Sequence, residues 1–392
     1  MHSIKSQSLG NETSEIRQET PFDLAKLGLY LAKHLPPSFG LVFPLTARQF
    51  KFGQSNPTFL VADAHGHLLV IRKKPPGTLM SQTAHAVERE YWVLDSLYKH
   101  RSSDQTTWVP VPQVYLLCQD HSVLGTPFYA MEYLNGRIFE NILIPSVISV
   151  ENKKKYFYSA IDTLVRLHCI DYRKAGLEEY GKSGGYYQRQ LKRLHQVSQI
   201  QANIQDKNGS NVGKLVHLDD SLAWLHKNIV ADQITIVHGD YKLDNLVFHL
   251  EKPQIIGILD WELSTIGHPL SDLANFLMPW YFSKRQSGMA SGLYDAVRPL
   301  SIPEANELIY HYCKQIGRPY PIPNWNFCVA FSFFRLAVIA QGIAARVKRG
   351  QASSHIANSV AAIFQDMADR LHGITTNSVS LDESHFSCTA KL

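Results

Sequence analysis

The sequence predicts an α+β chain of two lobes, a small β-rich N-terminal one and a larger, mainly helical C-terminal one. Three observations carry this. Short apolar runs with β character crowd residues 48–132, and helical periodicity dominates after Asn135-Gly136. A second β-rich piece, at 238–260, is embedded in the helical half. With 392 residues the chain has the length for two such lobes. The expected division is a disordered segment at 1–20, an N-lobe at 21–134, a C-lobe at 135–374 and a flexible tail at 375–392.

Over residues 21–35, Leu24, Leu27 and Leu31 recur at helical spacing, and Pro36-Pro37 ends the pattern. Strands are expected at 48–52, 58–62 and 68–72, separated by turn-forming residues at 53–57 and 63–66, which makes a three-strand meander. Residues 84–97 carry Val87, Tyr91, Leu94 and Tyr98 on one stripe, as a helix packed on that sheet would. Two further strands follow at 114–118 and 127–132. Beyond the boundary, Tyr156, Ala160, Leu164 and Leu167 mark a helix at 153–168, and helices are expected at 303–317, 325–349 and 355–371.

Composition excludes several classes. Hydrophobic residues make up 45% and charged ones 19%, as in an ordinary globular protein rather than a disordered one. The net charge of +5 comes from scattered Lys and Arg; Arg72-Lys73-Lys74 and Lys153-Lys154-Lys155 read as solvated faces, so no nucleic-acid partner is expected. Five cysteines without a C-x-x-C pair favour a reducing compartment without structural zinc. The longest apolar stretch, 328–345, is interrupted by Arg335 and Gln341 and reads as a buried core helix, so no membrane span is expected. Residues 1–20 are polar and carry no secretion signal.

The chemistry lies in His238-Gly239-Asp240-Tyr241-Lys242-Leu243-Asp244-Asn245, which has the kinase catalytic-loop form H-x-D-x-x-x-x-N. In that form an Asp takes the proton of the attacking hydroxyl, and an Asn five residues on holds magnesium. Asp240 is therefore the expected base and Asn245 a metal ligand. Asp260, closing the apolar run 255–259, supplies the second hard oxygen donor. Lys242 is placed to meet charge developing on the γ-phosphate, and His238 to buttress the loop. Glu262 either supports a second ion or partners a buried donor.

These residues resemble the aminoglycoside phosphotransferase and choline kinase-like branch of the bilobal protein-kinase-like fold. Within it, the chain is similar to the kinase-like domain of acyl-CoA dehydrogenase family members 10 and 11. The resemblance covers about residues 21–372 and rests on Phe52-Gly53-Gln54-Ser55-Asn56-Pro57-Thr58, on Arg72 to Gly77, on Ala84 to Tyr91 and on His238 to His268. It implies a nucleotide-binding sheet in the N-lobe. Gly53, Ser55 and Asn56 would cover the phosphates of ATP, and the backbone of Glu132 and Tyr133 would meet the purine. Arg72 stands where kinases usually carry a phosphate-binding Lys; by strand parity Lys74 shares its face, so either could serve. Of Glu88 and Glu90, which point about 200° apart on a helix, the family pattern selects Glu90 to hold that cation. Trp261-Glu262 replaces the protein-kinase Phe-Gly pair, from which a constitutive site is expected. Asp272 is expected to tie the catalytic loop to its helix.

The implied activity is transfer of the ATP γ-phosphoryl group, with Mg²⁺, to a hydroxyl. The acyl-CoA relatives imply a 4-hydroxyacyl-CoA or 4-hydroxy acid acceptor in fatty-acid catabolism. Alternatives are a choline- or aminoglycoside-like acceptor, or a catalytically silent nucleotide-binding scaffold. Trp280, Tyr281, Tyr186, Tyr187, Arg189 and Arg193 either line the acceptor pocket or belong to core and surface. With no dehydrogenase half in the sequence, a stand-alone kinase domain is expected. Finally, Ala390-Lys391-Leu392 belongs to the small-basic-Leu class of peroxisomal address, which implies an import receptor as partner and the peroxisome rather than the cytoplasm as location.

Overall fold

The computed structural model describes residues 13–16, 22–51, 56–75, 86–103, 107–283, 292–350, 357–379 and 381. The first elements are β1 (Thr13–Ser14), α1 (Leu24–His34), β2 (Thr46–Phe50), β3 (Thr58–Ala62) and β4 (Leu68–Lys73). Then come α2 (Val87–Ser103), β5 (Val114–Cys118), α3 (His121–Leu124) and β6 (Phe128–Glu132). Next are α4 (Val150–Cys169), α5 (Tyr186–Ala202), α6 (Leu218–Lys227), β7 (Thr235–Val237), β8 (Leu246–Phe248), β9 (Ile255–Ile258) and β10 (Thr265–Gly267). The remainder are α7 (Leu270–Tyr281), α8 (Ala305–Ile316), α9 (Trp325–Lys348), α10 (Ala357–Ala362) and α11 (Phe364–Thr375). Two compact units result. One comprises Met1–Arg137, Arg173–Leu177 and Val247–Ser264, the other Ile138–Tyr172, Glu178–Leu246 and Thr265–Leu392.

In the first unit a six-stranded sheet has the order β1-β2-β3-β4-β6-β5. Its pairings are antiparallel, with Leu60 opposite Val70 and Arg72 opposite Tyr129. Alternation along the strands makes two faces. Phe59, Val61, Leu69, Ile71, Phe128 and Ala130 form a buried cluster with Leu27 and Leu31 of α1. The Asp23 carboxylate caps α1 by accepting from the Lys26 N–H at 3.0 Å. Lys73 shares the parity of Ile71, not of Arg72; it is buried and its Nζ donates to the Leu124 carbonyl at 2.5 Å. The opposite parity, Val70 and Arg72 with Tyr129 and Met131, turns toward α2, which packs on β5 and β6.

Several sequence expectations change here, among them the two basic runs: Arg72, Lys73 and Lys153 are buried rather than solvated, because carboxylates or backbone carbonyls take their charge. Residues 1–20 are not wholly disordered: Thr13 pairs with Phe50, and its hydroxyl accepts from Arg48 Nε at 2.8 Å. The expected helix at 84–97 is Val87–Ser103, and its buried residues include Glu90 as well as Val87, Leu94 and Leu97. Residues 247–264 belong to the first unit rather than the helical one. The reason is long-range pairing: Arg137 exchanges hydrogen bonds with Phe248, at 2.7 and 2.8 Å, and the Ile258 N–H reaches the Pro110 carbonyl at 3.0 Å.

The second unit is built on α9, which packs against α5, α7, α10 and α11. By length and composition α9 could cross a membrane, but 72% of its most apolar window is buried within the fold. Helix α4 packs on α8 and on β7, and β7 pairs antiparallel with β10, Ile236 opposite Ile266. The expected helix at 355–371 is two helices, α10 and α11, with a break at Ile363.

Candidate active site

The second unit holds the catalytic loop. Thr235, Ile236 and Val237 of β7 are all buried, which fixes where the chain leaves the strand. Gly239 then takes φ +84°, a conformation that a side chain would strain. Buried Asp272 on α7 clamps the turn: its two oxygens accept from the N–H groups of His238 at 2.7 Å and Gly239 at 2.8 Å. His168 stands behind it, with Nε2 at 3.4 Å from Asp272 and Nδ1 at 2.8 Å from the Tyr312 hydroxyl. His238 is fully buried and its Nδ1 accepts from the Asp240 N–H at 3.2 Å, a bracing rather than a reacting position. Arg335 of α9 donates to the Gly239 carbonyl. The Tyr241 hydroxyl donates to Ala160 at 2.7 Å. The N–H groups of His238, Gly239 and Asp240 and the carbonyl of Gly239 are each held by a side chain.

Asn245 ends a short 3₁₀ turn, Leu243–Asn245. Its Nδ2 donates to the Asp240 carbonyl at 2.8 Å and to Asp240 Oδ2 at 3.0 Å. Lys242 Nζ lies 3.4 Å from Asp240 Oδ2 and 3.4 Å from Asp244 Oδ2. Burial works against the Lys242 ammonium, yet Asp240 and then Asp244 outweigh it and move its pKa upward. Burial raises the Asp244 carboxyl, opposed by Lys242 and reinforced by Asp240. With its Nδ2 spent on Asp240, Asn245 keeps its carbonyl oxygen as a hard donor.

The first unit holds a compact charge cluster. Arg72 Nε lies 2.8 Å from Glu90, and its Nη2 lies 2.5 Å from Asp260 Oδ1 and 3.9 Å from Glu262. Asn56 donates to Glu90 at 2.8 Å and to Glu262 at 3.4 Å, and the Tyr129 hydroxyl donates to Glu90 at 3.1 Å. Burial disfavours charge on Arg72, but Glu90, then Asp260, drive its pKa up. Glu90 is pushed up by burial, with Arg72 opposing. Glu262 acts here as a partner for Asn56 and Arg72. One cation faces three carboxylates, an excess of negative charge that suits a divalent ion. Among the described residues no three His, Cys, Asp or Glu side chains converge as a self-contained metal cage. Asp260 in this unit and, separately, Asn245 in the other each present an oxygen of the kind that Mg²⁺ takes.

The other expected residues divide clearly. Gly53 and Ser55 lie outside the described residues, as do Ala390, Lys391 and Leu392. Glu132 ends β6, its carboxylate accepting from the Gln113 N–H at 3.1 Å, and Tyr133 follows it. Lys74 lies just past β4. Tyr187 packs between His268, Phe327 and Phe331, and Tyr186 against Tyr187. Trp280 Nε1 donates to Pro303, and the Tyr281 hydroxyl accepts from Trp325. These four aromatics are core. Arg189 binds the Lys182 carbonyl and Arg193 is exposed. Tyr129 beside Arg72, and Arg335 and His168 around the catalytic loop, were not expected; of these, only Tyr129 had a sequence signal, its parity with Met131 along β6.

Residues 46–299 match the phosphotransferase enzyme family. Acyl-CoA dehydrogenase family member 11 of Rattus norvegicus is 38% identical over 362 residues, covering 91% of this chain and 44% of that protein. The chain thus spans less than half the length of the curated relatives it matches. The crystal structure of a Ralstonia eutropha protein assigned as an aminoglycoside phosphotransferase superposes with a TM-score of 0.74 at 35% identity, covering 91% of this chain and 99% of that one. A thermostable variant of aminoglycoside phosphotransferase APH(4)-Ia, solved with ADP and hygromycin B, shares the fold at 12% identity and a TM-score of 0.54, covering 91% of this chain and 99% of that one.

Proposed function

The chain belongs to the phosphotransferase enzyme family, and on that premise we propose that it is a kinase moving the ATP γ-phosphoryl group to the hydroxyl of a 4-hydroxy acid or its CoA thioester. The observation that carries this is Asp240, held by Asn245 on a loop whose backbone is clamped by Asp272 and Arg335. In the proposed reaction the acceptor hydroxyl donates to the Asp240 carboxylate. As its oxygen bonds to the γ-phosphorus, the bond to the ADP oxygen breaks, and the proton passes to Asp240. Lys242 meets the charge on the transferred group. Magnesium, held by Asn245 and Asp260, would neutralise the triphosphate. Arg72, fixed by Glu90, would contact phosphate with the part of its fork not used by carboxylates; Gly53 and Ser55 would cover the phosphates, and the backbone of Glu132 and Tyr133 would meet the base, whereas the buried Asn56 side chain, spent on Glu90 and Glu262, braces the cluster instead of covering phosphate. The acceptor class draws support from the acyl-CoA dehydrogenase names of the relatives, and Ala390-Lys391-Leu392 supports import into peroxisomes.

The test offers Mg·ATP with a panel of hydroxy acids and their CoA thioesters, following phosphoproduct by mass spectrometry. Asp240→Asn should lower turnover by about 10²–10⁴-fold, the usual contribution of a general base, with nucleotide affinity retained. Unchanged turnover would remove Asp240 from the mechanism, and a wild type that binds nucleotide but phosphorylates nothing would favour a scaffold.

A further inference from the structure

Behind the catalytic loop, within the second unit, buried side chains from three helices form a chain of contacts. The Tyr312 hydroxyl on α8 lies 2.8 Å from His168 Nδ1, in the last turn of α4, and His168 Nε2 lies 3.4 Å from Asp272 Oδ2 on α7. Asp272 in turn holds the N–H groups of His238 at 2.7 Å and Gly239 at 2.8 Å. Tyr312 and the side chains of His168 and Asp272 are completely buried. A second tie seats the ring: the Thr235 hydroxyl, on β7, donates to the His168 carbonyl at 2.9 Å. His168 is therefore fixed both to the clamp and to the strand that delivers the loop.

The partners decide where the ring proton sits. Both Asp272 oxygens already accept N–H groups, so Asp272 meets His168 as an acceptor, and Nε2 must carry the proton that faces it. In the neutral ring Nδ1 is then an acceptor, and the Tyr312 O–H is the donor that completes it. Burial pushes the Tyr312 phenol far above its ordinary value, so the O–H is kept. The opposite tautomer would aim a nitrogen lone pair at a buried carboxylate and push the clamp away. At 3.4 Å His168 is a longer partner of Oδ2 than the His238 N–H, which suits orienting the carboxylate rather than replacing its loop contacts.

We propose that His168, its tautomer set by Tyr312, is a positioning residue that fixes the Asp272 carboxylate and, through it, the turn presenting Asp240. It touches no substrate. Its effect on turnover rests on the kinase reading; its hold on the loop does not. The catalytic machinery thereby extends to α8, far outside the H-x-D tract.

Variants of the full chain test this. An asparagine amide reaches to the level of Nδ1 and a glutamine amide to that of Nε2, so His168→Asn loses the donor to Asp272 and His168→Gln keeps one. His168→Asn should lower kcat about tenfold or more, toward the ~10²-fold that a reacting group displaced by about 1 Å costs, with KM for ATP held within about twofold. His168→Gln should recover most of this, and Tyr312→Phe should show a smaller loss. Amide exchange of His238 and Gly239, measured relative to the rest of the unit, should quicken most in His168→Asn. Ser198→Ala removes a buried 2.8 Å hydrogen bond to Gln341 elsewhere in the unit, and should lower stability while leaving kcat and that relative exchange unchanged. Nitrogen NMR of the His168 ring should show a proton on Nε2. Equal turnover in His168→Asn and His168→Gln, unchanged relative exchange at residues 238 and 239, or a ring protonated on Nδ1 alone would overturn the proposal. If the wild type phosphorylates no acceptor, the kinase reading falls and exchange alone decides the hold on the loop: His168→Gln nearer the wild type than His168→Asn keeps it, and equal rates reject it.

Discussion

Removing the Asp272 carboxylate should loosen the catalytic loop before it loosens anything else. Asp272 is fully buried, and its oxygens accept from the His238 and Gly239 N–H groups at 2.7 and 2.8 Å. In Asp272→Ala both donors lose their acceptor, and each orphaned buried N–H costs about 1–3 kcal/mol. The sum, about 2–6 kcal/mol, is a large share of a typical folding free energy of about 5–15 kcal/mol. Asp272→Asn keeps the shape and one oxygen acceptor, so it should lose roughly half as much. Urea unfolding should rank wild type above Asp272→Asn above Asp272→Ala. Hydrogen exchange provides the local readout: a loss of about 2 kcal/mol should speed exchange over residues 235–242 about 30-fold. If Asp272→Ala kept both its urea midpoint and its exchange protection, the loop would be held by Arg335 and Tyr241 alone, and the clamp would be rejected.

Two further outcomes follow from packing and titration. Burial pushes the His268 imidazole from its ordinary 6.5 down to about 4, so below pH 6.5 the unfolded chain takes up a proton that the folded one refuses. Stability is full above that pH and falls toward pH 4, by on the order of 3 kcal/mol; His268→Asn should flatten this limb when urea unfolding is compared at pH 7 and 4.5, and an unaltered slope rejects the assignment. A Cβ on Gly136 would lie 2.4 Å from the Phe248 carbonyl oxygen and 2.4 Å from Val247 Cγ1, so Gly136→Ala should cost about 1–3 kcal/mol of overpacking strain; a wild-type urea midpoint would mean that β8 yields freely.

Local chemistry was legible in the sequence, while long-range pairing was not. Strand parity set Arg72 apart from Lys73, because the pleat alternates whatever the tertiary context. The catalytic loop was legible because its residues are contiguous. On α2, by contrast, counting apolar residues gave a stripe through Tyr91 and Tyr98, whereas the buried positions include Glu90. A charge on a buried face has no apolar signal, and only its pairing with Arg72, far along the chain, explains it. The same limit moved residues 247–264 into the wrong lobe: their partners, Arg137 and Pro110, lie over a hundred residues away. Tyr186, Tyr187, Trp280 and Tyr281 look alike as pocket or core until neighbours are known.

The departures at Arg72 and at Trp261-Glu262 make sense together. Asp260 adopts φ 65° and ψ 61°, a left-handed conformation costing a non-glycine residue roughly 1–2 kcal/mol. It is held from both sides. Ahead of it in space, Arg72 Nη2 takes Oδ1 at 2.5 Å while Nε stays on Glu90, a division of labour that a guanidinium manages within one plane and a lysine ammonium does not. Behind it in sequence, Trp261 is 1% exposed, donates from Nε1 to the Ile258 carbonyl at 2.9 Å, and accepts at its own carbonyl from the Ser264 hydroxyl at 2.5 Å. Flipping this segment would have to expose a buried indole, at about 1.5–3 kcal/mol or more for a side chain of that size, and would strip Arg72 and Asn56 of carboxylate partners in a buried site. Where a phenylalanine-glycine pair would leave such a segment with fewer ties, Trp261 holds the Ile258 carbonyl and Glu262 accepts from Asn56 and faces Arg72, so Asp260 is braced on both sides.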